Sequence, residues 1–486
     1  LESFMLSPKI ALRPFLMMRG QRIVEDSQWQ NGKALKHLPG LARLAVAFVL
    51  LCGAGNLSAK PRAIESRPDA RPFLNMPADE KGKMPVLLSQ TGAFADTAGL
   101  VPSASLVPYE LNVAFWSDGA EKQRWISVPS TAQKSDQIHF TGNDEWLFPP
   151  GTVFVKHFEL PADTRKNKTT RRRLETRLIV CTSGNNVYGV TYKWRADGLD
   201  ADLLTTNLSE DITVKTTSGT KTQTWYYPSR LDCKVCHTTL AGGVLGVKTR
   251  QLNRLMQNPS GAHENQLLAW SHAGLIDAQL TEKDVAHMAT LVRYDDPVAS
   301  VESRARSWLD ANCTHCHRPG GTVAFFDTRY STPLLEQKLI NGQVLIDQGI
   351  DGARIVAPAD IWRSLLFMRA NALDSVKMPP LAHNLRDEQG MLLLKTWIEE
   401  MPGSQVVPPP TFFPAGGSFT KSVEITITDL EPGAVIHFTT DGSAPSKSDP
   451  VYEKPIKLSE PATLRAKAYK SGMTRSITAQ QTFIVE

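Results

Sequence analysis

Cysteine is scarce in this sequence, six residues in 486, and their placement leaves no spare pair for a structural disulfide. Charge of one sign is scarce too. Lys plus Arg number 54 against 49 Asp plus Glu, a formal net charge of +5, and the two signs are interleaved almost everywhere, which excludes the basic footprint of a nucleic-acid binder. No stretch approaches the ~20 consecutive apolar residues of a spanning helix, so no membrane span is expected in the mature chain. No propeller-type repeat is present. What remains, 41% hydrophobic and 21% charged, reads as a globular chain long enough for about two to four domains.

Residues 1–59 read as leader and signal peptide. Basic Lys33, Lys36 and Arg43 precede the apolar run Leu44-Ala45-Val46-Ala47-Phe48-Val49-Leu50-Leu51, and Leu57-Ser58-Ala59 offers small residues for cleavage. The expected location is periplasmic or extracellular. Cys52 falls inside the discarded segment, since Leu51 stands where a lipidated cysteine needs a small residue. The first residue is not Met, and Met17 or Met18 is the expected initiator.

Four of the remaining five cysteines fall in two copies of Cys-x-x-Cys-His: Cys233-Lys234-Val235-Cys236-His237 and Cys313-Thr314-His315-Cys316-His317. Two thiols one helical turn apart suit addition to the two vinyl groups of a porphyrin, and the adjacent imidazole then reaches the iron from one face. Cys233, Cys236, Cys313 and Cys316 are therefore the expected attachment residues of two covalent haem c groups, with His237 and His317 as iron ligands. A zinc site built from all four thiols is the alternative; the histidine after each pair argues against it. Cys181, in Leu178-Ile179-Val180-Cys181, reads as an inert thiol in a buried strand.

Along the chain, residues 60–84 are polar and proline-dotted and read as a linker. Residues 85–230 carry short β-rich runs, among them 110–116, 123–128, 151–160, 174–181 and 187–194, and read as a β domain whose aromatics are core, the alternative being the lining of a sugar or small-molecule cleft. Within it, Asp118, Glu121, Lys122 and Arg124 form a polar cluster best read as an ion-paired turn, and His157 lies on an alternating strand. The basic run from Arg165 to Arg173 reads as a solvated hairpin loop. Residues 231–297 form a first haem segment with helical pattern over 266–275 and 282–292. Its sixth iron ligand is open between Met256, His263, His272, His287 and Met288, or an unfilled position; His272, at an apolar helix end, is the first choice.

Residues 298–403 form a second haem segment. Val301, Ala305, Trp308 and Leu309 make one apolar helix face leading into Cys313, and Met391, Leu394, Ile398 and Met401 make another, capped by Asp387. Between them, Met378 in Lys377-Met378-Pro379-Pro380 cannot enter a helix, which leaves its thioether free for the iron. Histidine plus methionine ligation raises the potential and closes the iron to outside ligands. After a proline-rich hinge at 404–410, residues 411–486 are all β, with strands expected at 422–428, 434–439, 463–469 and 480–485 and turns at Asp441-Gly442 and Ser471-Gly472.

The segment from Ser300 to Met401 resembles a class I cytochrome c domain, with Cys313, Cys316, His317 and Met378 on that family's attachment and axial positions. The wider stretch resembles exported bacterial dihaem c-type cytochromes through Asn112-Val113-Ala114-Phe115-Trp116-Ser117-Asp118-Gly119 and Leu245-Gly246-Val247-Lys248-Thr249-Arg250-Gln251-Leu252-Asn253. Similar haem segments elsewhere are fused to sugar-dehydrogenase-like propellers; a dehydrogenase partner here would be a separate protein. The tail, through Ile436-His437-Phe438-Thr439-Thr440-Asp441-Gly442 and Ala466-Lys467-Ala468-Tyr469, resembles the immunoglobulin-like C-terminal domain of chitobiases and hexosaminidases, an accessory there, and Asp441 reads as a turn residue.

The expected fold class is multidomain α+β: an N-terminal β domain, two mainly α-helical cytochrome c-like haem segments and a C-terminal β-sandwich. The expected function is electron transfer between extracytoplasmic redox proteins, a donor and an acceptor, with no catalytic residues. A sugar or alcohol dehydrogenase is one candidate donor, and the tail is a candidate contact for a surface polymer or protein. The alternative is a dihaem enzyme of peroxidase or oxidase type, with the first haem as catalytic centre.

Overall fold

Alternating apolar and polar residues with few helix formers build a six-stranded antiparallel meander: β1 (Val107–Pro108), β2 (Glu121–Ser127), β3 (Val153–Pro161), β4 (Arg171–Cys181), β5 (Val187–Trp194) and β6 (Ala201–Leu203), in that spatial order. The computed structural model describes residues 64, 66–131, 136–166, 170–257, 261 and 263–486, all within the unit Pro61–Glu486. The leader and signal peptide read over 1–59 lie outside the described residues. A hairpin of β7 (Leu208–Thr216) and β8 (Gly219–Tyr227) completes the N-terminal β part.

The sheet has two buried faces. On one, Trp125, Val155, Leu178, Val190, Tyr192 and Trp194 pack against Leu74, Met76, Met84, Leu88 and Phe94. Part of the stretch read as a linker is thus core. On the other face Ile126, Phe154 and Ile179 pack against Trp146, Val247, Leu267, Trp270 and Ile276, while Phe158, Leu160 and Leu174 pack under Trp225 and Tyr227 of the hairpin. Cys181, 3% exposed, is a core thiol of β4, and burial pushes it up.

The expectation of two mainly α-helical haem segments is overturned. The described residues are mostly β, 29% strand against 16% helix, and hold seven helices: α1 (Arg230–Cys236), α2 (Thr249–Leu252), α3 (Gln266–His272), α4 (Glu282–His287), α5 (Val301–Asn312), α6 (Leu365–Asn371) and α7 (Glu388–Glu399). The physical reason differs between the segments. Residues 231–297 have no separate core: Val244, Val247, Leu252, Leu267, Leu268 and Trp270 are buried in one cluster with strand residues, so the segment is a cover for the sheet and its helices stay at four to seven residues. Residues 298–403 do have a core, from Ala305, Trp308, Leu309, Met391, Leu394, Trp397 and Ile398. Between Asn312 and Leu365, however, turns replace helix, as Pro319, Gly320, Gly321, Pro333, Gly342, Gly349, Gly352 and Pro358 dictate.

The tail forms two sheets, β9 (Thr411–Phe413), β11 (Val423–Thr428) and β13 (Ile456–Leu458) on one side and β10 (Gly417–Phe419), β15 (Ala479–Val485), β14 (Ala462–Tyr469) and β12 (Val435–Thr439) on the other, closed over Ile425, Ile427, Leu464, Ala466 and Phe483. Val407 of the hinge is buried in this core. The tail is also docked on the preceding segment. Arg363 donates from Nη2 to the carbonyls of Arg475 and Ser476, both at 3.1 Å, Lys467 reaches Asp351 at 3.2 Å, and Ile477 packs with Ile350, Ala353 and Leu365. A chain ending at Pro408 is accordingly expected to lose about 1–3 kcal/mol of stability in the 298–403 segment, since the charged hydrogen bonds of Arg363 and the apolar contact of Ile477 go with the tail. Thermal unfolding followed by the fluorescence of Trp308 and Trp397 measures it; an unchanged midpoint would mean the docking contributes nothing.

Candidate functional site

The two Cys-x-x-Cys-His motifs, 80 positions apart in sequence, meet in space. Ser229 caps α1 by accepting from Asp232 N, while the Asp232 carboxylate accepts in return from Ser229 N at 2.8 Å. The helix presents Cys233 and Cys236 one turn apart. Its foothold is Gly189 of β5: a methyl group there would lie 2.7 Å from Cys233 Sγ, so only glycine admits the helix so close. The second motif hangs from the C-terminus of α5. Leu309 O accepts from Cys313 N at 2.9 Å, and Asn312, buried, ties this end to Trp116 N at 2.8 Å.

The Cys236 and Cys316 thiols lie close enough to act on each other, and Arg318, just past the second motif, donates from Nη1 to Leu240 O, just past the first, at 3.1 Å. The closeness of the thiols favours the thiolate on Cys316, which Cys236 first and then His315 pull down, and pushes Cys236 up. All four motif cysteines are free thiols. His237 donates from Nδ1 to the carbonyl of Gly243 at 2.8 Å, the outer-shell bond that orients a ligating imidazole and leaves Nε2 for the metal. Burial, with Lys156, His315 and Arg177 adding to it, brings His237 down to about 4. His317 stacks on Phe326 at 4.3 Å between centroids, and its buried Nδ1 has no partner. Burial, then His315 and Arg369, bring it down to about 4 as well. Both rings are therefore neutral near pH 7, the form that binds metal.

Met378 is half-buried. Its N–H donates to Arg369 O at 2.9 Å, which ties it to the C-terminal end of α6, and the charge of Arg369 is felt at His317. His383, 3% exposed, bonds the Met378 backbone. His272 is elsewhere: its ring is 61% exposed and pairs with Glu264 at 3.1 Å. Met256 is buried against Ala269, and His263 and His287 are exposed. His157 faces away from the cysteines, fully buried with Nδ1 on Thr176 Oγ1 at 2.9 Å and its ring against Trp194.

The polar cluster after Trp116 resolves into separate parts. Asp118, 2% exposed, accepts from Asn384 N and Leu385 N, both at 2.8 Å, and Trp116 Nε1 donates to Leu385 O at 2.8 Å; together they clasp the loop that follows Met378. Glu121 pairs with Arg171. Lys122 donates to the carbonyls of Phe115 and Ala120 at 3.0 and 3.1 Å. The run around Lys248 is a buried staple between segments: Asp310 receives Lys248 at 2.8 Å and Arg250 at 3.0 Å and accepts from Tyr330 N at 2.9 Å.

Covalent haem fits these residues on three observations: free thiols on the last turn of α1 and in the turn that follows α5, a His237 ring whose Nδ1 is already bonded, and a buried His317 nitrogen without a partner among the described residues. A bare ion fits less well, because among the described residues no three or more His, Cys, Asp or Glu side chains converge on one point. Sequence reasoning missed Lys156 and Arg177, which lie beside His237 and both cysteines of the first motif. Each is a charged residue whose second neighbour on the same strand face is apolar, Phe154 and Phe158 around Lys156 and Ile179 beyond Arg177, a signal that becomes readable only once strand register is known.

The two tail sheets define an immunoglobulin-like module. Residues 414–480 match the family model of the chitobiase/beta-hexosaminidase C-terminal domain. There Asp441 is the turn residue expected, accepting from Ser443 N at 2.9 Å. No cytochrome c family model matches the chain, and no curated protein matches it.

Proposed function

We propose that this chain is an exported two-haem c-type cytochrome that passes electrons between redox proteins outside the cytoplasm, of the kind its motifs resemble. The contact between Cys236 and Cys316 carries the reading, because it sets the two attachment motifs directly against each other, as a relay requires. Haem held there supplies a one-electron iron couple. Cys233, Cys236, Cys313 and Cys316 fix it; His237 and His317 supply neutral imidazoles; Met378, tied to the C-terminal end of α6, supplies a thioether for the second centre. A sugar or alcohol dehydrogenase, as a separate protein, is a chemically suitable donor. The immunoglobulin-like tail is suited to holding a surface polymer or a protein partner. Intact mass and a pyridine haemochrome spectrum of the exported protein test the core of this reading: two covalent haems are expected, and none would overturn it.

One observation favours a second reading, a dihaem enzyme of peroxidase or oxidase type. Of the side chains weighed as sixth ligand of the first centre, His272, His263 and His287 are exposed, Met256 packs on Ala269 and Met288 packs on the sheet cluster. Carbon monoxide added to the reduced protein separates the two. An electron carrier with both irons six-coordinate shows no shift, whereas a shift in one haem with peroxide turnover supports the enzyme. In the same experiment Met378→Ala is expected to lower the potential of one haem and open it to carbon monoxide; an unchanged redox titration would remove Met378 as a ligand.

A further inference from the structure

The sheet face beneath α1 carries more positive charge than it pairs. Register sets Arg124 of β2, Lys156 of β3 and Arg177 of β4 side by side, and Lys122 follows two residues along the same face. Apolar clusters flank this row along the strands, Phe154 with Ile179 on one side and Phe158 with Leu174 on the other. Glu175 is the acid in the row, and its Oε1 is taken by Arg177 Nη2 at 2.6 Å, while its buried Oε2 and Arg177 Nε have no partner. Arg124 is 9% exposed, yet no hydrogen bond or ion pair reaches its guanidinium among the described residues, and its Nη2 is buried and unpartnered. The nearby Glu110 is engaged by Arg254. Lys156, half-buried, lies over the face of Phe158 at 4.9 Å and has no ion pair among the described residues.

Buried charges are paired in folded proteins, and a guanidinium fork is shaped for a carboxylate. We infer that Arg124, Lys156 and Arg177 form a binding site for the carboxylates of a ligand lying across the strands beside α1. The row spans two interstrand spacings, about 10 Å, with Arg177 at the end that senses Cys233 and Cys236 and Lys156 beside His237. Two singly charged carboxylates suit it better than a dianionic phosphate, because Glu175 already occupies one side of Arg177. Such carboxylates have two sources: the propionates of a haem on the first motif, which rests on the reading above, or a free dicarboxylic acid.

The exported full-length chain, wild type, Arg124→Gln and Lys156→Gln, tests this. Intact mass comes first, since absence of covalent haem in the wild type removes the dihaem reading and leaves the site to the free-acid arm. In loaded protein, a potentiometric titration is expected to show one haem's potential falling in both variants with attachment unchanged, if propionates fill the site. If a free acid fills it, succinate raises the thermal midpoint of the wild type and binds the variants about tenfold or more weakly. Without succinate, Arg124→Gln in haem-free protein is expected to unfold at the same temperature or higher, because it removes an unpaired charge. A lower midpoint there, or variants that match the wild type in both potential and succinate response, or an equal response to inorganic phosphate, would overturn the inference.

Discussion

Asp310→Ala is expected to cost about 3–5 kcal/mol of stability. The carboxylate is 3% exposed and holds Lys248 and Arg250, themselves 5% and 2% exposed; its removal leaves two cations with no water to replace it. The loss falls where the first segment meets the second, so urea unfolding followed by Trp308 fluorescence reads it directly. Burial works to raise the Asp310 carboxyl, but Lys248 and Arg250 outweigh it and hold the group below its ordinary value. A depressed folded pKa gives stability that is present above the unfolded value, ~3.9, and is lost as pH falls through the folded one. The gap between wild type and variant should therefore be full at pH 7 and shrink below about pH 4. A gap under about 1 kcal/mol at pH 7 would place this buried network with ordinary surface pairs.

Gly189→Val is expected to dislodge the first motif. Even the first carbon of a side chain would stand 2.7 Å from Cys233 Sγ, 2.8 Å from Cys233 Cβ and 2.9 Å from Ile179 Cδ1. Ile179 Cδ1 and Cys233 Sγ are side-chain ends held in buried surroundings, but Cys233 Cβ is fixed to the backbone of α1 and cannot swing aside, so α1 must lift from β5. Overpacking of this kind costs about 1–3 kcal/mol. Under the dihaem reading the variant should carry one haem in place of two by intact mass, with the Cys313 and Cys316 attachment intact. Two haems and an unchanged unfolding midpoint would show that the helix has room to spare.

These two residues mark what the sequence could and could not reveal. Local signals were legible where the chain itself supplies both halves of an interaction. Asp387 was readable as the cap of α7, where it accepts from Gly390 N at 3.0 Å, and the apolar faces of α5 and α7 were readable because their spacing is internal to each helix. The tail strands were readable from alternation and turn residues. Asp310 gave no such sign, because its partners Lys248 and Arg250 lie about sixty residues upstream in a run whose composition suggests only a loop. The helical pattern of residues 266–275 was real, yet Leu267 and Trp270 use it to cover a sheet, so periodicity reported the helix and not the absence of a helical domain around it. The row of Arg124, Lys156 and Arg177 depends on strand register, which no single strand encodes. His272 was favoured because an imidazole on an apolar helix end ought to be buried; instead α3 ends at the surface and Glu264 meets the ring.

The Asp118 clasp has a kinetic meaning. Its carboxylate waits for amides 266 and 267 residues further along the chain, which is among the longest separations any hydrogen bond here must close. Contacts of such separation are slow to form, because ordering the intervening chain precedes any reward. The turn from Trp116 to Asp118, at the entrance of the sheet, is therefore expected to close late, once the chain through Leu385 is in place. Until then Asp118 is an open carboxylate at the edge of a nearly finished domain, and premature truncation anywhere before Leu385 leaves it so.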